Sequence, residues 1–141
     1  MQLCQDRRGT YKSTEYLDAT RVVTDDDSAS RVSPLVPPVF ASARMIAFAE
    51  VTCAELMAEH IDPAQTSVGT GFQFTHEAAT PIGMKVTMRV RLVELDKRKC
   101  VFEIEASDQV DRISVGRHER FVVDRAKFDA RLAEKRAKLE G

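Results

Sequence analysis

The chain has 141 residues, 43% of them hydrophobic, with 21 Lys plus Arg against 22 Asp plus Glu and a formal net charge of −1. That length suits one domain with its own core, and the charge balance gives no support to the basic face a nucleic-acid partner would need. There is no apolar run long enough to cross a bilayer, and the N-terminus MQLCQDRRGTYKS lacks a hydrophobic signal region, so a cytoplasmic protein with no membrane partner is expected.

Residues 1–15 are polar and read as a loose segment, leaving one domain over 16–141. Tyr16 to Thr24 has the apolar content of a first strand, which Asp25-Asp26-Asp27-Ser28 breaks. Pro34, Pro37 and Pro38 keep Arg31 to Phe40 extended. Ser42 to His60 reads as a helix, with Ser42 at its N-cap or first turn, His60 in its last turn and Pro63 beyond its end. The period then changes to two. Ser67 to Glu77 is a strand carrying two glycines, and Thr80-Pro81-Ile82-Gly83 is a turn. Met84, Val86, Met88, Val90 and Leu92 alternate with polar residues in a long strand. After a hairpin loop at Asp96 to Lys99, Cys100, Phe102, Ile104 and Ala106 mark the inner face of the next strand. The last strand is Ile113 to Val123. Asp124 caps a closing helix, Arg125 to Glu140, with a narrow stripe of Phe128, Leu132 and Leu139.

The order strand, long helix, four strands, short helix is an α+β layer solution. The long helix is apolar over most of its circumference, more than one flat sheet face demands. A curved antiparallel sheet wrapped around it, the hot-dog arrangement, is the economical answer.

Within that helix Glu50 is misplaced. At about 100° per residue, Arg44, Thr52, Glu55 and Glu59 gather within roughly a quarter of the circumference. Glu50 falls almost opposite them, between Ile46 and Met57 on one side and Ala54 on the other. A carboxylate among apolar neighbours is costly unless hydrogen-bonded, paired or protonated. Either it has a use, or it pairs with a core arginine or snorkels to a groove edge.

Gly69 and Gly71 weaken their strand and so mark a bulge or the close approach of another group. His76 shares the alternation of Phe72 and Phe74 and is either a general acid or base or a satisfied structural histidine. His118 and Arg120 share a face of the last strand, whose default reading is an exposed or salt-bridged edge. Cys4, Cys53 and Cys100 show no CxxC spacing, and His60, His76 and His118 no ligand spacing, so neither a disulfide nor a metal is expected.

The runs VFASARMIAFAEVTCAELM, SVGTGFQFTHEAATPIGMKVTMRVRL and GRHERFVVDRAKF resemble the fluoroacetyl-CoA thioesterase family of the hot-dog superfamily, over roughly Val36 to Phe128. The resemblance implies acyl-CoA hydrolysis with Ser42, Glu50 and His76 as the catalytic set. It also implies substrate contacts from Val36, Phe40, Gly69 and Arg120. Coenzyme A enters as part of the substrate, no cofactor is required, and a homodimer or higher homo-oligomer is implied. Two departures stand out. The family's namesake has threonine at the Ser42 position. It also carries aromatic residues before the helix, where this chain has Arg31-Val32-Ser33-Pro34-Leu35-Val36 and no aromatic until Phe40. A general short- or medium-chain acyl-CoA is therefore the expected substrate. The alternative is an acyl-CoA-binding module without turnover.

Overall fold

The computed structural model describes the backbone of residues 3–5 and 11–13, and residues 15–141 in full. Five long strands form one antiparallel sheet: β3 (Tyr16–Val22), β4 (Gln65–Phe74), β5 (Lys85–Asp96), β6 (Lys99–Ser107) and β7 (Arg112–Asp124). They lie in the order β3-β5-β6-β7-β4. The segment expected to be loose falls partly outside the described residues. Where described, β1 (Leu3–Gln5) and β2 (Tyr11–Ser13) pair as antiparallel strands, and Tyr11 stands opposite Leu95, continuing the edge that β3 occupies.

The core follows the period-two pattern. Val86, Met88, Val90 and Leu92 are fully buried, as are Cys100, Phe102 and Ala106 on the neighbouring strand. Across from them lies α1 (Ser42–Ala58), which buries Met45, Ala49, Cys53, Leu56 and Met57, a stripe at helical spacing. Register shifts at Leu92/Glu94, Ala106/Ser107 and Gly69/Gly71 interrupt three of the pairings, and such bulges bend strands toward a packed helix. Among the described residues no helix is long and apolar enough to cross a membrane.

Three expectations need correction. Helix α1 ends at Ala58, so His60 lies outside it, where its Nε2 is 3.1 Å from Glu15. Thr52, placed on the wet face by its chemistry, is buried, because its hydroxyl donates to the Phe48 carbonyl at 2.7 Å and needs no water. Strand β4 stops at Phe74, so His76 is not a strand residue. There the Thr75 and Glu77 N–H groups still donate to the Val115 and Ile113 carbonyls. The Thr75 carbonyl, however, accepts from the Ser114 hydroxyl and the Val115 N–H donates to the Thr75 hydroxyl, so side chains take the return bonds of the ladder.

The proline-rich strap before α1 is anchored at both ends. Ala29 N–H donates to the Val39 carbonyl, Phe40 N–H to Thr80, and Ala41 N–H to Asp27. Asp27 is itself buried and accepts from Arg21 at 2.7 and 2.8 Å and from the Thr24 N–H at 2.9 Å. Burial alone would raise its pKa. The Thr24 N–H and the Arg21 guanidinium outweigh that and hold it below the ordinary aspartate value. The closing helix α2 (Arg125–Glu140) has the expected bounds but buries no residue, Phe128 being only half-buried.

Candidate active site

Helix α1 carries the first two site residues. Its N-cap is Ala41, which offers no side-chain oxygen, and Ser42 is the first helical residue. The Ser42 hydroxyl is therefore not spent on a cap. Its Oγ lies 2.7 Å from Nδ1 of His76, on the chain beyond β4. The two line a cavity of about 340 Å³, whose other walls include Val39, Ala78 and the fully buried Phe40. Partial desolvation holds the His76 pKa below the ordinary histidine value, which favours the neutral ring at pH 7.

Glu50 sits eight residues on, about 12 Å further along the helix axis. Its carboxylate is paired, which answers the burial problem that marked it in the sequence. Oε2 stands 3.7 Å from an Arg120 terminal nitrogen, with the Glu50 side chain 36% exposed and that of Arg120 only 8%. The strand opposite approaches very closely: a Cβ built on Gly69 would lie 2.9 Å from Glu50 Oε2 and 3.3 Å from His118 Cε1. A side chain at Gly69 would compete with the carboxylate for the same place. The bulge expected at Gly69 and Gly71 is present, with Gly69 opposite Arg120 and Gly71 opposite Glu119.

Contrary to the exposed-edge reading, His118 and Arg120 are buried on the inner face of β7. Arg120 Nε donates to Ser67 Oγ at 2.8 Å and a terminal nitrogen to the Ser67 carbonyl at 2.7 Å. The other terminal nitrogen is 3.1 Å from His118 Nε2, and His118 Nδ1 is 2.9 Å from the Gly71 carbonyl. Three phenylalanines, Phe72, Phe74 and Phe102, surround the imidazole with ring centroids 6.2–6.5 Å away. Desolvation lowers its pKa more than the Gly71 carbonyl raises it. Burial also pushes the Cys53 thiol up to about 12 and the Cys100 thiol to about 11, so both stay neutral core residues.

The expected residues thus form two groups on one helix, Ser42 with His76 and Glu50 with Gly69 and Arg120. No hydrogen bond among the described residues joins Glu50 to His76. Val36, expected at the substrate, stands partly exposed on the strap. Sequence reasoning missed Ser67 and misjudged His118. A signal was present, since His118 and Arg120 share their alternation with Val122, an apolar marker of the inner face.

Comparison with known proteins places this arrangement. The fluoroacetyl-CoA-specific thioesterase family matches residues 23–126. The fluoroacetyl-CoA thioesterase of Streptantibioticus cattleyicolor is 38% identical over 99 residues, 70% of this chain and 71% of that protein. A solved variant of the fluoroacetyl-CoA-specific thioesterase FlK, in complex with fluoroacetate and CoA, is 33% identical, with a TM-score of 0.77 over 82% of this chain and 97% of that one. A hot-dog-like protein from Thermanaerovibrio acidaminovorans, 20% identical, has a TM-score of 0.81 over 86% of this chain and 90% of its own, a likeness of fold. The fold and the family match therefore define a hot-dog enzyme of the thioesterase class. Within that class the chain belongs to the fluoroacetyl-CoA-specific thioesterase family.

Proposed function

We propose that this protein hydrolyses the thioester of a short- or medium-chain acyl-CoA to the free acid and CoA, with Glu50 as nucleophile or general base. The observation that carries the reading is the Glu50 carboxylate itself, held by a buried arginine and pressed against a glycine backbone on a thioesterase frame. Either Glu50 attacks the thioester carbonyl, expelling the thiolate and leaving an acyl anhydride for water to cleave, or it takes the proton of an attacking water. His76, hydrogen-bonded to Ser42, protonates the departing thiolate sulfur from its imidazolium form, the minor form at pH 7. It regains that proton from solvent, while Glu50 passes on to water the proton it has taken. The Gly69 backbone beside Glu50 suits the developing oxyanion. Because the first turn of α1, with Ser42 and His76, lies about 12 Å away on the same chain, the two groups meet over one thioester across a dimer interface. The chemistry uses only water and these groups. Phe40 forms the floor of the Ser42–His76 cavity, and Val36 borders the substrate from the strap. Arg120 acts on the substrate through Glu50, since its own hydrogen bonds go to Ser67 and His118. The free, buried Cys53 and Cys100 accord with a cytoplasmic enzyme.

With no aromatic residue between Arg31 and Val39 to close over a two-carbon acyl group, fluoroacetyl-CoA and acetyl-CoA are expected to turn over at comparable rates. A panel of acyl-CoAs of graded length, including both, tests the reading by following free-thiol release. Tight binding of these esters with no thiol released from any of them would replace it with the non-catalytic module.

The same reading makes the enzyme a homodimer joined through β4. That strand ends the sheet, and Phe72 on it is 57% exposed although its ring turns toward His118 on the inner face. A long edge strand with an uncovered aromatic is ordinarily paired or shielded. Sedimentation should give twice the chain mass, and a monomer at micromolar concentration would remove this part.

A further inference from the structure

The buried His118 is unexplained by the reaction above, and its two nitrogens specify its state. The Gly71 carbonyl only accepts, so Nδ1 carries the hydrogen and donates it at 2.9 Å. Arg120 is always a donor, so Nε2, 3.1 Å from its terminal nitrogen, must present a lone pair. The ring is therefore neutral, in the Nδ1–H tautomer. A second proton would set N–H against N–H, with two cations 3.1 Å apart in a buried site. Arg120 is held at its other nitrogens by Ser67, and the nitrogen that meets His118 is also the one 3.7 Å from Glu50.

We propose that His118 is a positioning residue: its neutral ring fixes the Arg120 guanidinium, which in turn holds the Glu50 carboxylate against Gly69. This rests on the reading of Glu50 given above. The charged neighbours of the ring are Arg120 and Glu119 from β7 and Glu50 from α1. Strands β4 and β6 present the Gly71 carbonyl and the rings of Phe72, Phe74 and Phe102. Burial sets the folded pKa of His118 below its unfolded value. The stabilisation tied to the neutral ring is then complete above about pH 6.5 and is lost as pH falls toward the folded value.

Two substitutions separate positioning from packing. His118→Met fills the space without an acceptor for Arg120, and His118→Gln restores an acceptor that cannot become cationic. With acetyl-CoA, or the best substrate of the panel, His118→Met should lower kcat by roughly 10–100-fold with little change in KM. His118→Gln should recover most of that loss, and its kcat relative to wild type should rise as pH falls from 7 to 5. Nitrogen-15 shifts of the wild-type histidines should show His118 with Nδ1 protonated and Nε2 bare at neutral pH. Wild-type kcat in a folded His118→Met, a pH-independent ratio for His118→Gln, or a protonated Nε2 at neutral pH would each overturn the proposal. Should His118→Met not fold, the ratio and the spectra decide. Full activity in Glu50→Gln would instead remove the reading of Glu50, whereas an inactive Glu50→Gln beside a fully active His118→Met removes only the positioning role.

Discussion

Glu50→Gln should lower kcat by roughly 10²–10⁴-fold while the unfolding midpoint barely moves. The amide preserves shape and can still meet Arg120, but it neither attacks a carbonyl nor accepts a proton from water. Little stability is at stake, because the ion pair is long at 3.7 Å and the carboxylate is 36% exposed. Such partly solvated pairs contribute about 1 kcal/mol or less. The measurement is thiol release alongside circular dichroism, and undiminished hydrolysis by a folded Glu50→Gln would refute the mechanism.

The second large effect is a contrast between two glycines of the β4–β7 pair. A methyl group on Gly116 would run into the Gln73 carbonyl oxygen and lie 2.6 Å from Phe74 Cδ1 and 2.8 Å from Phe74 Cα. The obstacles include backbone, which cannot step aside without opening the strand pair. Gly116→Ala should therefore cost at least about 3 kcal/mol, a fall in midpoint on the order of 10 °C. A methyl on Gly69 meets instead the tip of Glu50 at 2.9 Å, and that side chain can swing away. Gly69→Ala should leave the midpoint close to wild type and reduce kcat by roughly 10²-fold, by displacing the carboxylate. Thermal melts and thiol release on both variants test the pair. Equal midpoints for Gly116→Ala and wild type, or unchanged turnover in Gly69→Ala, would contradict the described geometry.

Much of the architecture could be read in advance because alternation and helical spacing are local. Val86 to Leu92 and Phe102 to Ala106 announce one dry face each, and a hydrophobic residue every second position leaves little choice of where that face goes. Gly69 and Gly71 announced the bulge for the same reason, since a strand with two missing side chains is explained only by something beside it. Glu50 was conspicuous because the cost of an acid on an apolar helix face is a property of the helix alone.

The partners were another matter. Ser42 looks like a cap until His76, 34 residues away, is seen to take its hydroxyl. Arg120 and His118 carry polar chemistry that usually faces water, and only Ser67, Gly71 and Glu50 satisfy them well enough to be buried. Burial of a polar side chain depends on donors and acceptors brought in from distant strands, and no periodicity encodes those. So helix and strand positions, the dry faces and the suspect acid belong to the chain's local order. The arginine and histidine behind that acid, and the separation of Ser42–His76 from Glu50–Arg120, come from long-range packing, because hydrogen bonding across the sheet sets which polar groups can leave water.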